Sequence, residues 1–184
     1  MWYVIQTRAR HELDVAERCR QDVILPGENV FVMMAERMFK SHGEWKLIED
    51  VAFQKYIFAE TADTDDFRIR LRNVKDMTRM LGVGEEIAPI RREEEELLKS
   101  LGGEEHVIRY SVGFVVGDRL IITEGPLAGH EGEVKWIDRH QRLAGIETEL
   151  MGQQVTIRLG CEVLKKLPEG AMLHKAVSGS RIYE

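Results

Sequence analysis

The residues best suited to chemistry in this chain are cations and glycines concentrated between positions 125 and 145, in GPLAGHEGEVKWIDRHQRLAG. This stretch carries Lys135, Arg139, His140 and Arg142. Guanidinium groups donate hydrogen bonds in a planar fork, which suits phosphate groups and guanine edges. A folded RNA hairpin displays dense phosphates and splayed bases, so these side chains are candidates for binding RNA. The alternative is that they are solvated charges around a tight β-turn.

Two further cations, Lys165 and Lys166, end the last strand that the sequence predicts. In a closed barrel the strand ends can lie near one another, so we expect all six cations to converge. Yet residues 113–184 contain nine Lys/Arg and ten Asp/Glu, and the whole chain has a formal net charge of −6. This balance argues against a protein that coats nucleic acid non-specifically. RNA binding would therefore depend on the asymmetric placement of a few cations.

Catalytic and metal-binding patterns do not stand out. The sequence has no Ser-His-Asp order, no phosphate-binding loop and no paired carboxylates at catalytic spacing. The histidines have no shared ligand spacing, and Cys19 and Cys161 are far apart in the sequence. We expect both cysteines to be buried thiols, because free cysteine is usually interior. We expect neither an enzyme nor a bound metal or cofactor.

The N-terminal sequence MWYVIQTRARHELD lacks the basic start, long apolar run and small-residue cleavage site of a signal peptide. No apolar stretch approaches the roughly 20 residues that span a bilayer. The sequence therefore predicts a cytoplasmic protein with no membrane partner.

The first half of the chain alternates between strand and helix patterns. Residues 2–7, rich in aromatic and β-branched side chains, predict a strand, and residues 9–23 follow with helical spacing. Apolar runs at 30–39, 45–50 and 56–59, joined by short loops, predict an antiparallel sheet.

Two more helices are predicted after that sheet. One starts at residues 64–66, whose oxygens can cap it, and the other covers the acidic segment 91–101 after Pro89. A last short strand at 77–81 lies between them.

The composition changes near residue 102, where a polar, glycine-rich stretch begins. From residue 114 onward, five short alternating runs predict a small β-barrel: FVVGDRLIIT (114–123), GEVKWID, IETELM, QQVTIRL and CEVLKKL. Glycines, including Gly160, or polar turns separate them. The fold class is therefore α+β, with an α/β sandwich followed by a barrel. The predicted parts are a first domain (1–101), a linker (102–112), a barrel domain (113–167) and a tail (168–184).

The run VGDRLIITEGPLAGHEGEVKWID resembles the KOW motif, whose loop contains Gly125, Pro126, Gly129 and Gly132 here. We expect these glycines to adopt positive φ or to allow close backbone approach. The order WYVIQT, FQKYIFAET and API before an acidic helix resembles bacterial transcription elongation factors of the NusG class. The resemblance covers about residues 2–167. It implies an N-terminal α/β domain that binds RNA polymerase, a linker, and an SH3-like KOW barrel that recruits a second partner.

The chain departs from the family pattern in three places. FQKY at residues 53–56 replaces the usual FPGY, so its Pro-Gly turn is lost. Met151-Gly152 stands where the family usually has an apolar aromatic residue that meets a ribosomal protein or termination factor. The third departure is the group of loop cations. Together these features resemble the specialised antitermination paralogues called LoaP, which the resemblance associates with RNA hairpins in operon leaders.

The resemblance also implies a polymerase-binding surface. Tyr56 and Phe58 match strand positions that help form an apolar face for the polymerase clamp helices. Their i, i+2 spacing directs both side chains to one side of a strand. The alternative is that both fill the domain's own core. Phe67, Arg68 and Arg70 match a helix start that contacts another polymerase loop in the specialised paralogues, the alternative being solvated arginines.

The residues predicted to bind RNA are Lys135, Arg139, His140, Arg142, Lys165 and Lys166. Arginines in and near the first helix are candidates for contact with non-template DNA, although interleaved acids favour intrahelical pairs instead; they are Arg8, Arg10, Arg18 and Arg20.

The resulting hypothesis is a monomeric transcription processivity and antitermination factor. It would bind the clamp region of RNA polymerase through its first domain and a nascent RNA hairpin through its barrel. One alternative is a general elongation factor whose barrel meets a ribosomal protein or termination factor. The other is a ribosome-associated KOW protein.

Overall fold

The computed structural model describes residues 1–74, 78–83 and 86–167. The elements of the first half are β1 (Trp2–Gln6), α1 (Glu12–Asp22), β2 (Asn29–Phe31), β3 (Met34–Ser41), β4 (Glu44–Val51), β5 (Tyr56–Glu60), α2 (Thr64–Leu71), β6 (Arg79–Met80), β7 (Gly82–Val83), β8 (Glu86–Ile87) and α3 (Arg92–Gly102). Those of the second half are β9 (Val107–Ile108), β10 (Ser111–Val116), β11 (Arg119–Glu124), a 3-10 helix (Glu131–Glu133), β12 (Val134–Asp138), β13 (Leu143–Leu150) and β14 (Gln153–Leu167). The described chain is a mixed α/β structure with several sheets and three α-helices.

The central sheet has the strand order β2-β5-β1-β6, and every neighbouring pair in it is antiparallel. β1 and β5 are almost continuously apolar because both faces of this sheet are covered. One face packs against α1 and α2 in a core cluster that includes Ile57, Cys19 and Phe67. Burial raises the pKa of the Cys19 thiol to about 11. Cys19 and Cys161 are both free and buried, as the sequence predicted.

The opposite face of the central sheet carries a cluster of aromatic rings. Phe58 stacks on Phe31 with ring centroids 5.6 Å apart, and Phe53 meets Phe58 edge-on at 5.6 Å. The ring centroids of Trp2 and Phe31 are 4.8 Å apart, and the His106 ring stacks on Phe31 with a centroid distance of 3.6 Å. Burial lowers the pKa of His106, so this ring is held in its neutral form.

A second sheet has the order β4-β3-β9. Its β3–β4 hairpin closes through His42 and Gly43, whose φ values of 52° and 89° fit the two-residue turns that match strand twist. β9 pairs in parallel with β3. The segment 102–112, expected to be a linker, thus contains the end of α3, all of β9 and the start of β10.

The third sheet, called the C-terminal sheet below, has the order β11-β10-β14-β13-β12. It has five strands, the number that the sequence predicted, but they do not match the predicted runs one to one. The expected strand over 114–123 is two strands, β10 and β11, while the two expected runs at the end of the chain form the single strand β14.

The sequence predicts that Gly160 separates two strands, but in the structure this glycine lies inside β14. Its role is in packing. A Cβ atom there would lie 2.3 Å from the Glu36 carbonyl oxygen and 2.4 Å from the Tyr110 ring, so glycine permits a close approach within a continuous strand.

Part of the predicted organisation lies beyond the described residues, including the tail 168–184 and residue 77 of the predicted strand 77–81. Within the described ranges, none of the helices is long and apolar enough to cross a membrane.

Candidate partner-binding surfaces

Tyr56 and Phe58, the predicted polymerase contacts, both belong to the core cluster on the aromatic side of the central sheet. Phe58 has no exposed surface and lies within the ring cluster. Tyr56 is partly exposed, and its hydroxyl donates to Gln153 Oε1 at 3.3 Å. Tyr56 therefore lies at the rim of the aromatic face, where the β13–β14 hairpin meets it.

The turn before β5 is formed by the FQKY segment that replaces the family's FPGY. Lys55 has a φ of 73°, a left-handed backbone conformation that residues other than glycine rarely adopt. Its backbone N–H donates to Glu12 Oε1 at 2.6 Å, and its carbonyl accepts from Thr7 N at 2.8 Å. Glu12 is only 2% exposed, so its carboxylate serves as an internal anchor for the turn.

α2 presents only one of its three predicted polymerase contacts to solvent. Phe67 has no exposed surface and packs against the central sheet. The Arg70 side chain is 18% exposed, and its guanidinium donates to both carboxylate oxygens of Glu28 at 2.8 and 2.9 Å. Arg68 remains at the surface, 3.5 Å from Asp65. In this conformation Phe67 packs in the domain core and Arg70 pairs with Glu28, whereas Arg68 is exposed at the surface.

The first-helix arginines include one that is used internally. Arg20 Nε donates to the Val30 carbonyl at 3.0 Å, and its Nη1 pairs with Glu17 at 3.0 Å. This i, i+3 pair matches the intrahelical alternative. Arg8, Arg10 and Arg18 are exposed.

The glycine-rich loop after β11 is a turn that inserts Leu127 into the core, where this residue has no exposed surface. Gly125 has a φ of 96°, and a Cβ atom there would lie 2.5 Å from Ser111 Oγ. Gly129 has a φ of 86°. The expectation was wrong for Gly132, which has neither a positive φ nor any atom within 4 Å of an added Cβ. Pro126, inside the turn, is partly buried.

The predicted RNA-binding cations are mostly at the surface. Lys135, Arg139 and His140 are exposed, as are Lys165 and Lys166 at the end of β14.

Arg142 differs from these cations, since its guanidinium carbon lies 4.6 Å from the centre of the Trp45 ring. It also pairs with Glu162 at 3.3 Å, and its side chain is 27% exposed. Arg142 is thus shared between the C-terminal sheet and the tip of the β3–β4 hairpin.

The six cations form two groups along β14. Cys161 N donates to the Arg142 carbonyl at 2.9 Å, which fixes the β12–β13 turn beside Cys161. Lys166 lies five residues further along the strand, a separation of about 16 Å at the usual rise per residue. The turn cations and the two strand-end lysines therefore do not share one small patch.

Sequence reasoning missed two residues on this sheet, Trp136 and Arg158. Trp136 is 36% exposed, and its ring covers Gly145 on the neighbouring strand. Gly145 in turn pairs with Arg158 in the β13–β14 register. The sequence signal for Trp136 was its place beside Lys135 in the alternating run GEVKWID, where a large aromatic side chain stands among polar ones.

The two halves of the chain touch at several points. Tyr110 N donates to Glu36 Oε2 at 2.8 Å, and Ser100 Oγ lies 3.1 Å from His130 Nε2. An ion pair joins Arg91 to Glu149. Core residues of both halves belong to one hydrophobic cluster. The C-terminal sheet is thus docked on the first half in this structure.

The molecule thus combines an α/β half that has an aromatic sheet face with a docked β-sheet that displays cations. The family model described as "Transcription termination factor nusG" matches residues 1–99. The chain therefore belongs to the NusG family of transcription termination and antitermination factors.

Individual relatives are distant but similar over nearly their full length. The chain is 24% identical over 175 residues to the transcription termination/antitermination protein NusG of Bacillus subtilis, covering 90% of this chain and 98% of that protein. It is also 24% identical over 179 residues to NusG of Pasteurella multocida, covering 90% and 94% of the two chains. A solved structure titled "Domain interaction in Thermotoga maritima NusG" matches with a TM-score of 0.47 and 19% identity, covering 86% and 92%.

Proposed function

We propose that this protein is a transcription processivity and antitermination factor of the specialised, LoaP-like kind. Its first domain (1–101) binds the clamp region of RNA polymerase. Its C-terminal domain (113–167), joined through 102–112, binds a hairpin in the nascent leader RNA. The observation that carries this proposal is the exposure of Lys135 on β12 and of Arg139 and His140 in the turn that follows, on a chain whose net charge is −6.

The polymerase surface in this proposal is the aromatic side of the central sheet around Tyr56. Aromatic residues dominate the energetics of protein interfaces when they become fully desolvated. Tyr56 already has a partly apolar surrounding and a hydroxyl that can exchange its Gln153 partner for one on the polymerase. A bound factor favours elongation by binding the elongating state of polymerase more tightly than the paused state.

The RNA surface is the outer side of the C-terminal sheet. Exposed guanidinium and ammonium groups suit phosphates, and their affinity must fall as salt rises. Tethering to polymerase raises the local concentration of this weakly charged sheet beside the emerging transcript. A few well-placed cations can then suffice.

Terminator readthrough in vitro tests the proposal directly. We expect the purified chain to raise readthrough on a template that carries the leader RNA of its own gene cluster, and not on one with the hairpin strands made non-complementary. A variant with Lys135, Arg139 and His140 all changed to Gln should lose this leader dependence. Arg119→Gln, an exposed charge change on β11, serves as the matched control. Unchanged readthrough by the wild type on its own leader would overturn the proposal.

A second candidate function is favoured by Leu164, which is 57% exposed on β14. An exposed leucine beside the strand-end lysines suits a protein partner, so the C-terminal sheet could instead bind a ribosomal protein or termination factor, as in a general elongation factor. Leu164→Ala should weaken such protein binding and leave RNA binding unchanged. Binding assays with RNA and with both proteins distinguish the two functions.

A further inference from the structure

Trp136 is held in an unusual position on the outer side of the C-terminal sheet. Its ring lies directly over Gly145, since a Cβ atom built there would come within 2.1–2.5 Å of three indole ring atoms. The register pairs Trp136 with Gly145, so the indole rests on bare backbone of the next strand. With 36% of its surface exposed, this large ring is supported from below and open to solvent. The ring is thus pre-positioned before any ligand arrives.

Cations flank this ring. Gly145 pairs with Arg158, so Trp136 and Arg158 lie in one cross-strand row, two strand spacings or about 10 Å apart. Lys135 precedes Trp136 at a register shift in β12. Within residues 1–74, 78–83 and 86–167, no ion pair engages Lys135 or Arg158. Both cations are therefore available to an anionic ligand.

The surroundings of the ring favour nucleic acid over a protein partner. The next row along the sheet pairs Glu147 with Thr156, and both residues are exposed. A protein hot spot would instead be expected to place the ring within further apolar surface. The acid on that side directs phosphates toward Lys135 and the β12–β13 turn.

We propose that Trp136 is a stacking platform for an unpaired base of the bound RNA, with Lys135 and Arg158 contacting the flanking phosphates. Sequence-tolerant recognition of single-stranded nucleic acid combines exposed aromatic rings with cations in this way. Unpaired loop bases can turn outward and stack on such a ring, whereas bases paired in the stem cannot. The inference rests on the proposed RNA-binding function and specifies which part of the hairpin is bound.

The test compares two RNA probes on the full chain: a stem-loop with an oligouridine loop, and a blunt duplex of the same stem. Trp136→Ala should weaken stem-loop binding about 5- to 150-fold, the range expected for one stacked base, and leave duplex binding nearly unchanged. Trp136→Phe should retain part of the affinity. Gly145→Ala should also weaken stem-loop binding because it lifts the ring without removing it. Phe39→Ala, which removes a 48% exposed ring from the β3–β4 hairpin, is the matched control.

Salt dependence separates the roles of the residues. Lys135→Gln and Arg158→Gln should each reduce the slope of log affinity against log salt by about one, and Trp136→Ala should leave the slope unchanged. If the wild type binds the stem-loop and Trp136→Ala binds it equally well, the platform is wrong while RNA binding stands. If the wild type binds neither probe nor its own leader, both proposals fail.

Discussion

At the scale of single residues, Glu28 and Arg70 form a largely buried ion pair with an Nη1–Oε2 distance of 2.8 Å. Glu28 accepts hydrogen bonds from Arg70, from Thr61 Oγ1 at 2.7 Å and from Leu25 N at 2.8 Å, and its side chain is 10% exposed. The bond from Arg70 is the main cause of a pKa for Glu28 lowered to about 2. This pair ties the end of α2 to the loop before β2. Arg70 therefore has a structural role in the folded domain.

Replacing Glu28 by Gln should lower the free energy of unfolding by about 2–3 kcal/mol near neutral pH, because the partly buried Arg70 guanidinium loses its bidentate partner and keeps only the more exposed Asp66. Since the folded-state pKa of Glu28 lies below its unfolded value, its stabilisation is complete above about pH 4.5 and is lost as the pH falls toward about 2. Urea unfolding should thus show the gap between wild type and variant narrowing across this window. Glu17→Gln, whose side chain is 57% exposed in its pair with Arg20, should cost under about 0.5 kcal/mol. Equal losses for both variants would contradict the assignment.

At the scale of elements, the turn between β4 and β5 contains backbone strain. Lys55 holds a φ of 73°, at the position where the resemblance to the FPGY pattern implies glycine. The hydrogen bond that anchors this turn is donated by the backbone of Lys55 to Glu12, so it does not depend on the lysine side chain. The strain and the anchor can therefore be separated by substitution.

Lys55→Gly should raise the free energy of unfolding by about 1 kcal/mol, because glycine adopts this conformation without a clash of Cβ. Lys46→Gly makes the same chemical change at an exposed position of the regular strand β4, and it should destabilise by about 0.5–1 kcal/mol. Chemical denaturation of the two variants measures both effects. A loss of stability in Lys55→Gly would mean that the turn gains more from the lysine side chain than it loses in strain.

Local signals predicted the elements better than their partners. The three helices follow from apolar spacing and, for α2, from capping oxygens at its start. The cap of α2 is Asp63, one residue before the predicted 64–66, and its side chain accepts from Asp66 N at 3.1 Å. The predicted strand bounds were wrong where contacts with residues distant in the sequence determine them. β14 continues through Gly160, where Tyr110 and Glu36 leave no room for a Cβ atom, so the glycine serves packing and does not end the strand. No local pattern encodes that contact.

The candidate sites show the same limit. Arg70 was read as a surface contact because its partner Glu28 is 42 residues away. Arg142 was grouped with the loop cations because its stacking on Trp45 joins opposite halves of the chain. The exposure of Lys135 and Arg139 was predictable, because no distant element packs on them.

At the scale of the whole molecule, the docked arrangement limits access to Tyr56. The β13–β14 hairpin supplies both the Gln153 contact to Tyr56 and, through Glu149, the ion pair to Arg91. Under the proposed function, polymerase and this hairpin compete for the same rim of the aromatic face. The apparent affinity for polymerase then falls with the fraction of molecules in which the hairpin has left.

Glu149→Arg should weaken the docked state, because two arginines then face each other across the contact. A change of about 1 kcal/mol in docking would raise the apparent affinity for polymerase about fivefold. Reversing the pair in Arg91→Glu/Glu149→Arg should restore the wild-type affinity, whereas Arg92→Glu, which breaks only the pair with Glu96 inside α3, should have no effect. Equilibrium binding to purified polymerase measures affinity, and small-angle scattering of the free chain independently reports the separation of the halves. If the reversed pair behaves like Glu149→Arg alone, the ion pair does not control docking; if scattering shows opening without a gain in affinity, the polymerase does not use the face that the hairpin covers.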